Sequence, residues 1–137
     1  MVDVNILAVI VAAIASFVLG MLWFSPVLFG KAWMKEMGIT AEKIEASKKK
    51  GMAKEMIVAV INAIVAAYVL AYFLGIAALA GVGSPITIAI LIWLGFMATI
   101  FVDGVLWEEK SMRLFAIQSG NRLAAVILMT LIVGLWN

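Results

Sequence analysis

Hydrophobic and polar positions in this chain alternate on the scale of whole helices. Uncharged apolar stretches are separated by short segments rich in charge, glycine or proline. Crossing the hydrocarbon core of a bilayer takes about 20 helical residues, and residues 4–24 supply one such stretch. Met56 to Val102 carries no charge, which is too long for one span and enough for two. Gly81-Val82-Gly83-Ser84-Pro85 divides it, with Pro85 suited to start the next helix. A last stretch runs from about Arg113 to Trp136 and includes Gln118, Asn121 and Arg122. The pattern predicts an all-α, polytopic membrane protein: four transmembrane helices near 4–24, 56–80, 86–107 and 113–136 in an antiparallel bundle. A charged cytoplasmic segment, 25–55, follows the first span, and the whole chain 1–137 reads as one transmembrane domain.

Composition agrees. Of 137 residues, 66% are hydrophobic and 13% charged, and the mean hydropathy is +1.19. Soluble domains lie nearer half apolar and a quarter charged. There is no cysteine and no histidine, which removes disulfides, thiolate nucleophiles and the usual ligands of zinc and haem. No glycine-rich phosphate loop follows a strand. Catalysis would have to rest on Asp103, Glu108 or tyrosine, so no enzyme, catalytic residue, cofactor or metal is expected. The N-terminus has Asp3 in place of a basic region, so residues 4–24 read as a retained span rather than a signal peptide.

The charges set an orientation. Seven lysines (Lys31, Lys35, Lys43, Lys48, Lys49, Lys50 and Lys54) follow the first span, and Lys110, Arg113 and Arg122 lie at or beyond the 107–113 connection. The N-terminal tail, the 81–85 turn and the C-terminus have no basic residue. This asymmetry places both charged segments in the cytoplasm and both termini outside, in the cell (inner) membrane. Thr40 is a candidate N-cap for a helix from Ala41, bent at Gly51. Lys48, Lys49 and Lys50 read as a solvated cluster at the headgroups of anionic lipids. No nucleic-acid partner is expected.

The chain leaves the first span through Gly20-Met-Leu-Trp-Phe-Ser-Pro-Val-Leu-Phe-Gly-Lys-Ala-Trp33. Ser25 and Pro26 predict an N-cap and first residue of a new helix. Phe29 and Trp33 would then share one face, making a short interfacial helix with its aromatic side in the membrane. The stretch resembles the N-terminal signature of a small prokaryotic four-span membrane-protein family of unknown function, roughly G-x-x-W-[YF]-S-P-x-x-F-G-x-x-W. The matching positions are Gly20, Trp23, Phe24, Ser25, Pro26, Phe29, Gly30 and Trp33, and Trp107 to Trp136 resembles that family's last helix less specifically. The resemblance implies the four-span fold and no activity.

Small residues recur every fourth position at Ala8, Ala12, Ser16 and Gly20, and again at Ala59, Ala63, Ala67, Ala71 and Gly75. In lipid such stripes permit close backbone approach, so they predict either the seam of the first hairpin or an oligomer interface. The motif F-V-x-G-x-L-W occurs twice, at Phe17–Trp23 and Phe101–Trp107, which suggests an internal repeat of parallel halves. Tyr72 and Trp93 are expected opposite one another, bonded or in the outer aromatic belt.

The chemical handle is polar. Asp103, Asn62, Gln118, Asn121 and Arg122 lie roughly 6 to 14 Å inside the cytoplasmic ends of their spans. Charges within a span usually meet a partner or a wet cavity. Two readings follow: an Asp103–Arg122 lock or a snorkelling Arg122, and a cytoplasm-facing vestibule for an ion or small polar solute. The latter makes the chain a small oligomeric bundle that binds or conducts. The alternative is a structural, assembly or membrane-sensing module without transport activity. Partners implied are the bilayer, further copies of the chain and, in the second reading, another membrane protein.

Overall fold

A computed structural model describes residues 2–136. Six helices form: α1 (Ile6–Trp23), α2 (Gly30–Met37), α3 (Ala41–Lys50), α4 (Ala53–Ala80), α5 (Pro85–Trp107) and α6 (Met112–Leu135). Four of them, α1, α4, α5 and α6, are long and apolar enough to cross a membrane, which marks a multi-pass membrane protein. Four of the six starts have a side-chain cap. Asn5, Thr40, Ser84 and Ser111 accept from the amides of Ala8, Lys43, Thr87 and Leu114, satisfying donors that the helix itself leaves free. Pro85 follows its cap as expected. Gly38 and Gly81 close α2 and α4 in the left-handed conformation, which glycine adopts without a Cβ penalty.

α1 and α6 form the centre. α1 packs against α4 on one side and α6 on the other, α5 packs against α6, and α4 and α5 touch only sparsely. The α1–α4 seam is made by the small-residue stripes: Ala8, Ala12 and Ala67 are each 0% exposed. The stripes do not run on uniformly. Towards the end of α1 and the start of α4, Ser16, Gly20, Ala59 and Ala63 line an open cleft instead of a seam. Ala67→Leu is therefore expected to cost about 1–3 kcal/mol, the usual penalty of overpacking. Ala63→Leu should cost a fraction of that, because its side chain faces the cleft. Thermal unfolding of both variants in detergent checks the difference, and equal losses would mean that the seam is continuous.

α6 is the most buried of the four long helices, although it carries the most polar side chains. Its position accounts for part of this, since Ser119, Asn121 and Thr130 are buried against protein. Two indoles hold it. Trp23 Nε1 donates to the Ile117 carbonyl at 2.9 Å from α1, and Trp93 Nε1 donates to the Ser119 carbonyl at 2.8 Å from α5. Trp93 thus finds its partner on α6, not in Tyr72, which is exposed. A Cβ at Gly120 would lie 3.3 Å from the Trp23 ring, so the glycine permits that close approach.

The turn after α1 departs from the expected form. No helix begins at Pro26, and Ser25 caps none: its hydroxyl donates back to the Leu22 carbonyl at 2.6 Å. The Ser25 carbonyl accepts from both Leu28 and Gly30, and the Trp23 carbonyl accepts from Phe29. Pro26, having no N–H to satisfy, fits inside this knot. Phe29 and Trp33 are turned back on the end of α1, Phe29 against Trp23 at 4.8 Å and Trp33 against Phe24 at 5.6 Å between ring centroids. The two aromatics therefore close the turn, with Phe29 still 40% exposed.

α2 is anchored at its far end. Glu36 accepts from the Ser111 hydroxyl at 2.8 Å and lies 3.8 Å from Arg113. Ser111 also caps α6, so one residue fixes both the start of α6 and the position of α2.

α5 is interrupted. Leu94–Ala98 is a π-helical turn, and Thr99 Oγ1 donates back to the Gly95 carbonyl across it at 2.9 Å. Such insertions shift the register of everything downstream and recur beside functional sites.

Candidate polar cleft

The sparse contact between α4 and α5 leaves a cavity whose two parts differ in chemistry. The first, about 380 Å³, lies where the end of α1 meets the start of α4. Its polar lining is Ser16, Asn62, Asn121 and Arg122, and Phe17, Met21 and Phe24 form an apolar wall. Among the described residues no acidic side chain lines it. The second part, about 660 Å³, lies between α4 and α5 and is walled almost wholly by apolar residues such as Phe73, Ile76, Ile92 and Phe96. Ala66, Met97, Val126 and Met129 line both parts. The two are one groove, polar at one end and apolar along the rest.

The polar end brings together three of the five expected site residues. Asn62 on α4 and Asn121 and Arg122 on α6 share it. Asn121 is 6% exposed, and its amide nitrogen is buried with no hydrogen-bond acceptor. A buried amide left unpaired costs about 1–3 kcal/mol, so it asks for an acceptor from elsewhere. Arg122 and Asn62 are exposed side chains.

The other two lie apart. Gln118 lines a smaller neighbouring hollow of about 120 Å³ with Gly104, Glu108 and Lys110. Asp103 is exposed and lines neither part of the groove. Gly104 is the buried position next to it, and one residue is about 100° around a helix, so the face that packs on α6 turns Asp103 away. The ion pairs among the described residues are Lys110–Glu108 and Arg113–Glu36. Neither Asp103 nor Arg122 is in one, and the expected lock is not formed. The two copies of F-V-x-G-x-L-W also sit in unlike surroundings, with Trp23 docked on α6 and Trp107 81% exposed.

Sequence reading did not single out Met97, Met129 or Glu36. Met97 and Met129 carry no signal beyond being apolar in apolar spans. Glu36 could have been noticed as an acid among lysines, in reach of whatever basic residue the fold brought near.

Four membrane-length helices beside an amphipathic groove mark a small polytopic membrane protein with a polar recess. The chain belongs to the family described as proteins of unknown function, DUF1761, whose family model matches residues 7–134. No curated protein and no solved structure matches the chain.

Proposed function

We propose that this chain is an inner-membrane protein with both termini outside, its four spans antiparallel, that binds an anion or small polar solute in the Asn62–Asn121–Arg122 recess. The observation that supports this most is a guanidinium and a buried, unpartnered amide lining one cleft that contains no acid. An arginine within a span that has no carboxylate partner selects for negative charge. Binding is favoured over conduction, because past Asn62 the groove continues on apolar side chains and offers no polar path to the far side. The lysines around α3 lie on the same side of the membrane in this reading and raise the local concentration of anions. A second copy of the chain would shield Asn62 and Arg122 from lipid, which is the reason to expect an oligomer.

The test is binding of inorganic phosphate to the purified protein, read as a concentration-dependent rise in unfolding temperature in a neutral detergent. Arg122→Gln should weaken it by about tenfold or more, the scale of a lost charge-assisted hydrogen bond. Asp103→Asn should leave it unchanged. Equal binding by wild type and Arg122→Gln would remove the reading.

A further inference from the structure

The recess is not closed, and what it opens into bears on what it binds. Residues Ala66, Met97, Val126 and Met129 belong to both parts of the groove, so a ligand seated against Arg122 has a continuous apolar channel beside it. From Ala66 to Ala80, the stretch of α4 along that channel, is roughly 21 Å at 1.5 Å per residue. A soluble anion would use the donors at one end and leave this length unfilled. A bilayer phospholipid at its ordinary depth would fill the length and leave the donors unmet, because its phosphate would stay at the membrane surface.

We propose that the groove holds a phosphate-headed amphiphile, its head on Arg122, Asn121 and Asn62 and one hydrocarbon chain between α4 and α5. This rests on the reading of the recess as an anion site and names the class of anion. Three observations carry it. The charge is complementary, since the recess has a guanidinium and no acid. The donor count is high: a guanidinium offers five N–H groups and each amide two, which suits the several acceptor oxygens of a phosphate better than the two of a carboxylate. The Asn121 nitrogen lacks an acceptor although 94% of the residue is buried, its exposure being 6%. With that amide turned toward the cleft, a head group there would supply the acceptor it lacks.

Depth separates this ligand from annular lipid. Arg122 lies roughly 15 Å along α6 from Met112, close to half the thickness of the hydrocarbon core. A head group bound there is drawn below the plane of its neighbours, which only specific contacts sustain. The π-turn Leu94–Ala98 sets Phe96 and Met97 on the channel, so it shapes the wall that the chain lies against.

The experiment compares dodecyl phosphate, inorganic phosphate and the uncharged dodecyl maltoside. Each is added to the full-length protein in nanodiscs of an uncharged, phosphate-free glycolipid, with retention read by native mass spectrometry and affinity by the rise in unfolding temperature. Dodecyl phosphate should bind at least about tenfold more tightly than inorganic phosphate and than dodecyl maltoside. Arg122→Gln should remove the preference for the phosphate head. Val69→Trp, at an exposed position that lines only the apolar part, should remove the advantage of the chain and keep inorganic phosphate binding. Ala78→Trp, exposed and outside the groove, serves as the control for folding and should behave as wild type. Equal affinities for dodecyl phosphate and inorganic phosphate would overturn the amphiphile and leave the anion site standing. Dodecyl phosphate binding that is indifferent to Arg122→Gln would overturn both. A dimer that excludes dodecyl phosphate and dissociates in Val69→Trp would show that a second copy fills the groove, and would overturn the lipid.

Discussion

Gly30→Ala is expected to lose about 3 kcal/mol of stability or more, and to do so through the backbone. A Cβ at this position would lie 2.5 Å from the Phe24 carbonyl oxygen and 2.6 Å from the carbonyl carbon and oxygen of Ser25. These are main-chain atoms, and the Ser25 carbonyl is held by hydrogen bonds from Leu28 and Gly30 itself, so no side-chain rotation relieves the overlap. Overpacking ordinarily costs about 1–3 kcal/mol when side chains can yield; here the knot that reverses the chain after α1 must open. The consequence reaches the site, because Phe24 and Met21 wall the polar recess. Thermal unfolding in detergent, with circular dichroism to confirm retained helix, measures the loss. Gly20→Ala is the control, since a Cβ there meets nothing within 4 Å, and a loss as large from that change would contradict the explanation.

Trp23 and Trp107 end identical sequence motifs and should respond oppositely. Trp23→Ala removes a ring packed on Phe29 and Gly120 and an indole donor to the Ile117 carbonyl. Large aromatic truncations of this kind cost about 3–5 kcal/mol. Trp107 is 81% exposed, and its replacement should shift the unfolding temperature little. The measurement is the pair of unfolding curves. Comparable losses would mean that Trp107 is also docked, either within the chain or against another copy.

Much of the fold is legible in the sequence because the bilayer imposes its length on apolar runs. The four spans expected at 4–24, 56–80, 86–107 and 113–136 appear with ends shifted by at most three residues. Ser84, Pro85 and Thr40 act as their chemistry suggests. The knot at Ser25–Gly30 was misread for a definite reason. Serine before proline is a common helix start, and only the surrounding carbonyls show that the serine hydroxyl turns back to Leu22. The site was half legible. Spacing along one helix tells which residues share a face, as Gln118 does with Asn121 and with Arg122, but not which face a neighbour covers. Asp103 on α5 is expected near Arg122 on α6 because a tight connection makes the two helices antiparallel neighbours, but the burial of Gly104 beside it turns the acid outward. The groove itself depends on α4 and α5 standing apart, and no periodicity in either helix reports that.

The central claim is that a cytoplasm-facing polar recess exists at Asn62, Asn121 and Arg122. The chain has no cysteine, so single replacements report one place each. Asn62→Cys and Ser16→Cys, in the recess, should react with a membrane-impermeant charged thiol reagent applied to the cytoplasmic face of sealed vesicles. Ala12→Cys, in the closed seam and 0% exposed, should not react from either side. Reaction of the recess cysteines only from the outer face, or no reaction at all in a folded protein, would contradict the account.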